Sequence, residues 1–169
     1  MKKIGYWLVS FVKEKAPKIF YHEICIAIKQ DEYTLLDKEL INLDDVASLY
    51  KGTGYRRHNQ AMLVCLGHNK TKEMVIVGNA HLYYNPAQDQ VRFAQAHFIL
   101  DKAAAFCRKH TMGSAPIPFV MCGDWNSHPV SSVLSAIYGE DIEDEEKSSW
   151  TIPYNYVEPK IRTEYKIIN

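Results

Sequence analysis

A chain of 169 residues, 47% apolar and 24% charged, is long enough for one compact domain and has the make-up of an ordinary soluble globular protein. Twenty Lys and Arg balance twenty Asp and Glu, so no whole-chain field draws it to nucleic acid, acidic ligands or a membrane. An anionic substrate must then be held by a local site, which favours metal ions over a broad basic patch.

The apolar stretch from Ile4 to Val12 is short, is broken by Ser10 and lacks a small-residue cleavage site, so it reads as neither a signal peptide nor a transmembrane helix. Its periodicity suits a helix and its β-branched and aromatic content suits a buried strand. After Pro17, Ile24 to Ile28 is strand-like, and Tyr33 to Leu36 suggests a second strand across a turn at Gln30-Asp31-Glu32. Residues 43 to 59 read as a loop carrying Gly52, Gly54 and the basic pair Arg56-Arg57.

Ala61 to Leu66 and Met74 to Ala80 are apolar runs around the polar turn His68 to Lys72, a β-hairpin pattern. Residues 88 to 109 carry Val91, Ala94, Phe98, Ile99, Ala103 and Phe106 at helical spacing, with Gln95 and Lys102 as interruptions. Gly113 and Pro116 stop this helix, and Ile117 to Cys122 read as a buried strand with Pro118 at its start. Ser131 to Tyr138 follow as a short helix after Pro129, and the acidic run Glu140 to Glu146 as a solvated loop. Cys25, Cys65, Cys107 and Cys122 each lie in an apolar run with no C-x-x-C pair. They read as four reduced, buried thiols of a cytosolic or nuclear protein.

Strands, one long helix and a strand ending in a polar loop describe a layered α/β domain. Phe119 to Cys122 deliver Gly123, Asp124 and Asn126 to such a loop. A carboxylate that orients a water beside an amide that donates to a phosphoryl oxygen suits in-line attack on phosphorus, whereas an Asx-rich turn is the bland alternative. Val77 to Ala80 end in His81, and a lone strand-end histidine is more often structural. A strand, helix, strand unit, however, brings parallel strand ends to one edge, so His81 and Asp124 are expected to face each other across a crevice.

Ala80-His81-Leu82 with Asn85-Pro86, then Gln88 to Gln95 opening a helix, then Pro118 to Ser127 and Pro129, resemble the core of nocturnin-like and carbon-catabolite-repressor-type deadenylases and their Angel-protein relatives. These belong to the endonuclease/exonuclease/phosphatase superfamily. His22 to Ile28 are similar to the family's Asp-Gly-Cys-Ala strand, and His58-Asn59-Gln60-Ala61 to its Thr-Asn-Gln-Val strand start. The resemblance covers about residues 5 to 165. It implies an α/β fold, a two-layer β-sandwich flanked by helices, present as the central part of one such domain. It also implies magnesium-dependent phosphodiester hydrolysis, with Mn2+ as a substitute, by a 3′ exoribonuclease acting on poly(A) in mRNA decay. RNA and deadenylase-complex subunits are the implied partners, and cytoplasm and nucleus the implied location.

Carried over residue by residue, Asp124 orients the attacking water and ligates the metal, Asn126 holds the scissile phosphate, and His81 donates to it. Pro86 matches a position that packs against adenine, and Asn59 matches an asparagine of the family's strand, so both are substrate-binding candidates. The family also uses an upstream Asn, a Glu in a Leu-Gln-Glu motif and a downstream Ser-Asp-His, none of which occurs here, although Lys160 to Thr163 resemble the approach to the last. Glu23 stands for a usual glycine and Trp125 for a usual phenylalanine. A partial enzyme domain with little activity of its own, a non-catalytic RNA-binding or interaction module, and a related nucleotide phosphodiesterase or phosphatase all stay open.

Overall fold

The computed structural model describes residues 5–11, 24–50, 53–111 and 116–138. Their main elements are β1 (Tyr6–Phe11), β2 (Ile24–Lys29), β3 (Tyr33–Asn42), α1 (Val46–Leu49), β4 (Gln60–His68), β5 (Met74–His81), α2 (Asp89–Thr111), β6 (Phe119–Asp124) and α3 (Ser132–Tyr138). The acidic run Glu140 to Glu146, the Lys160 to Thr163 segment, Gly113 and His22-Glu23 lie outside the described residues.

β1 is a strand, paired antiparallel with β2. The turn at 30–32, closed by Glu32 N–H donating to the Lys29 carbonyl at 3.1 Å, passes the chain from this sheet into a second one instead of closing a hairpin. That second sheet runs β3-β4-β5-β6, antiparallel except for the parallel β5–β6 pair. β3 extends beyond the expected Leu36 to Asn42, with an irregularity between Leu35 and Asp37.

β4 is a continuous apolar run because both of its faces are covered. Met62, Val64 and Leu66 pack with Val9, Ile24 and Ile28 of the two-stranded sheet, which makes the sandwich. Ala61, Leu63 and Cys65 point the other way, onto Phe93, Ile99 and Phe106 of α2. Fully buried side chains such as Met62 and Leu63 each contribute about 1.5–3 kcal/mol of apolar transfer.

The first half of α2 is buried all round. Phe93, Ala96 and Ile99 face the sheet, while Val91 and Ala94 pack against Val46, Ala47, Tyr50 and Tyr55. Those partners correct the expectation of a plain loop over 43–59, which contains 3-10 turns at Leu43–Asp45 and Thr53–Tyr55 around α1. Asn42 caps the first turn by accepting from Asp44 N–H, and the apolar side chains that follow have α2 to bury against. Burial also corrects the cysteines: Cys65 and Cys107 are buried, whereas Cys25 and Cys122 are exposed. Strand alternation explains Cys25, which lies on the face opposite Ile24 and Ile28.

Candidate active site

The 23-residue α2 is the crossover that brings β6 beside β5 in parallel, so both strands deliver their C-terminal residues to one sheet edge. His81 and Asp124 are register partners there, with His81 Nε2 3.9 Å from Asp124 Oδ2. That separation is beyond a hydrogen bond, and the Asp124 side chain is 65% exposed, open to a substrate or a water. Asn126 joins them by folding back: its N–H donates to Asp124 Oδ1 at 2.8 Å and its Nδ2 donates to the Leu82 carbonyl at 2.9 Å.

The close approach depends on Gly123. Its φ is +137°, and a Cβ built on it would lie 2.0 Å from the Ala80 carbonyl oxygen. Of the four described residues with positive φ, three, His58, Gly123 and Asn126, lie at this edge. Glycine takes positive φ freely, and Asn and His enter the left-handed region more readily than most residues, so the chain turns sharply here at modest cost.

Asn59 is buried and its amide is engaged within the protein. Nδ2 donates to the His81 carbonyl at 2.9 Å, and Oδ1 accepts from Gln95 Nε2 at 3.3 Å. Gln95, fully buried, also accepts from Tyr83 N–H at 3.0 Å, so one satisfied chain of polar groups fixes the end of β5. Pro86 is exposed in the turn after β5, and its carbonyl accepts from Arg92 Nη2 at 3.3 Å.

Beside His81, on the flank away from Asp124, lies a groove of about 330 Å³ lined by Arg56, Arg57, His58, Asn59, His81, Leu82, Tyr83 and Tyr84. Gln95, Arg92 and Asp44 were not legible as site-building residues. Gln95 alone left a trace, as a polar residue among apolar helix positions. No three His, Cys, Asp or Glu converge among the described residues. A single carboxylate is less than magnesium requires, so the described residues alone do not fit a resident ion. No described helix is long and apolar enough to cross a membrane.

No protein-family profile matches the chain. Curated relatives do. The CCR4-NOT transcription complex subunit 6-like-B of Xenopus laevis is 26% identical over 149 residues, covering 80% of this chain and 26% of that protein. The carbon catabolite repressor protein 4 homolog 3 of Arabidopsis thaliana is 28% identical over 116 residues, covering 68% and 23%. The chain thus spans about a quarter of the length of these relatives. Among solved structures, ANGEL2, a 2′,3′-cyclic phosphatase, in complex with adenosine-2′,3′-vanadate superposes with a TM-score of 0.65 at 25% identity, covering 80% of this chain and 36% of that one. The human nocturnin catalytic domain shares the fold at TM-score 0.61 and 20% identity, covering 76% and 46%. The chain therefore has the endonuclease/exonuclease/phosphatase fold, and its sequence relatives are CCR4-type proteins.

Proposed function

We propose that the chain is part of a metal-dependent phosphodiesterase that removes adenylates from the 3′ end of RNA. One observation supports this reading above the others: His81 and Asp124 stand as register partners at the ends of parallel strands, 3.9 Å apart, with Asn126 folded in beside them. A phosphodiester laid over that edge meets all three side chains.

In this reading Asp124 holds the attacking water through Oδ2, while the Asn126 N–H fixes Oδ1. The water oxygen forms the new bond to phosphorus as Asp124 accepts its proton, the P–O3′ bond breaks, and the departing 3′ oxygen takes up a proton from solvent. One amide hydrogen of Asn126 goes to the Leu82 carbonyl, which leaves the second for a phosphoryl oxygen. His81 stabilises charge developing on the phosphate, from a strand end that Asn59 pins by its carbonyl. Magnesium, when bound, would supply Lewis-acid polarisation of the phosphate, and Asp124 would be its ligand among the described residues. RNA and the CCR4-NOT subunits are the proposed partners, in cytoplasm and nucleus.

The likeness to ANGEL2 with its adenosine vanadate favours one second reading, hydrolysis of a 2′,3′-cyclic phosphate at the same edge. Both readings are tested together in the complete catalytic domain, using oligo(A) and adenosine 2′,3′-cyclic phosphate with magnesium. Asp124→Ala should lower turnover by roughly a hundred- to a thousandfold or more, with folding largely intact. Activity within about threefold of wild type on the preferred substrate would rule out the assigned role.

A further inference from the structure

Apart from His81 and Asn59, the groove beside His81 is lined by residues outside the reaction edge described above, and its two walls are each held in place by a charged side chain. One wall is the bend Arg56 to Asn59. Asp44 Oδ1 accepts from the backbone N–H groups of Arg57 and His58 at 2.9 and 2.7 Å, and Asp44 Oδ2 lies 2.8 Å from His58 Nδ1. The other wall is the turn carrying Tyr83 and Tyr84. Arg92, with a side chain only 3% exposed, donates to the carbonyls of Tyr83, Asn85 and Pro86 and pairs with Asp89. Such walls need little reorganisation when a ligand enters.

Among the described residues no carboxylate pairs with the Arg57 guanidinium in the groove. Asp44 is engaged with His58, whereas the Arg57 guanidinium donates to neutral oxygens, Gln88 Oε1 at 2.9 Å and the Arg56 carbonyl at 3.0 Å. It also lies 4.9 Å from the centre of the Tyr83 ring, which holds its plane in the groove. Tyr84, 70% exposed, offers an open aromatic face on the same lining. Two guanidinium groups with an aromatic face are the chemistry of single-stranded nucleic-acid binding, phosphate on arginine and base on ring. The groove is continuous with His81, so a strand whose scissile phosphate rests on the His81–Asp124 edge runs directly into it.

We infer that this groove is a subsite for the nucleotide adjoining the scissile phosphate: Arg57, with Arg56, takes its phosphate, and Tyr84 stacks on its base. The inference rests on the phosphodiesterase reading and extends it to substrate length, since a nucleotide beyond the scissile phosphate adds contacts that a mononucleotide held at the reaction edge does not make.

The test is fluorescence anisotropy of the 169-residue chain with labelled hexa-adenylate in magnesium-free buffer, over a range of salt concentrations. Unlabelled AMP serves as competitor. Wild type should bind hexa-adenylate at least about tenfold more tightly than AMP. Arg57→Gln should weaken hexa-adenylate binding about tenfold and reduce the slope of log affinity against log salt by about 0.7, the loss of one phosphate contact on a single strand. Tyr84→Ala, at an exposed position, should weaken binding by about fivefold or more with the salt slope unchanged. Thermal melting of each variant establishes that it is folded. If wild type binds hexa-adenylate and both folded variants match it in affinity and slope, the subsite is overturned while the phosphodiesterase reading stands. If wild type binds neither ligand, or binds AMP as tightly as hexa-adenylate, the subsite is overturned, and the phosphodiesterase reading is decided separately by the Asp124→Ala assay on the complete catalytic domain.

Discussion

Replacing Gln95 with leucine tests whether the end of β5 is held by polar satisfaction or merely by packing. Gln95 is fully buried and accepts from Tyr83 N–H while donating to Asn59 Oδ1. Leucine has nearly the same shape and removes both bonds at once. Each orphaned group costs about 1–3 kcal/mol, and the 3.3 Å bond to Asn59 belongs at the low end, so the loss is about 3 kcal/mol. Two methyl groups in place of the amide recover about 1.5 kcal/mol of apolar transfer. The expected net loss is about 1.5 kcal/mol, or about 3–6 °C in Tm for a domain of this size. Urea denaturation should show the midpoint falling with little change in slope. In an Asn59→Ala background one of the two orphans no longer exists, so the cost of Gln95→Leu should shrink by about 1 kcal/mol. A Gln95→Leu protein as stable as wild type, or equal losses in both backgrounds, would refute the network.

Gly123→Ala should destabilise by about 3 kcal/mol, since φ of +137° is hostile to a side chain and the new methyl meets the Ala80 backbone; denaturant midpoints decide it. Asp37 is held below the usual carboxylate range, chiefly by the hydrogen bond from Lys109 and also by His110. A depressed folded pKa gives stability that is complete above the unfolded value of about 3.9 and lost as pH falls through the folded one. Asp37→Asn should therefore lower Tm by about 2 °C at pH 7 and by nothing measurable below the folded pKa, as melting curves across that range will show. Calorimetry should find magnesium binding to the 169-residue chain no tighter than about 1 mM, because the described residues offer one carboxylate at the edge. The same chain should shorten oligo(A) slowly or not at all, and rapid magnesium-dependent shortening on a denaturing gel would contradict this.

The elements legible in the sequence are those whose signal is local. β4 and β5 stand out as apolar runs around a polar turn, and α2 by its apolar spacing and its Gly-Pro stop. The meeting of His81 and Asp124 was also accessible, because a strand, helix, strand unit can put both at one edge only in parallel. What escaped depends on distant partners. The helical turns between 43 and 55 exist because α2 lies over them, and nothing in their own residues reveals that. Gln95 reads as a break in an apolar stripe until Tyr83 and Asn59 are seen to surround it, and Arg92 carries no sign of burial. Cys25 and Cys122 sit in apolar runs, but a strand shows alternate residues to opposite faces, and composition does not record which face is covered.

The parallel pairing of β5 with β6 also sets when the reactive edge can arise during folding. β4 and β5 are antiparallel neighbours joined by the short turn 69–73, and hairpins of that kind form within microseconds. β6 can add only after the whole of α2 has crossed over, a non-local closure that is slower and must precede any encounter of Asp124 with His81. Until then β5 presents an unpaired backbone edge, the part of an immature chain most exposed to mispairing. Assembly of the His81–Asp124 pair is thus a late event, and a folding chain carries a sheet before it carries a site.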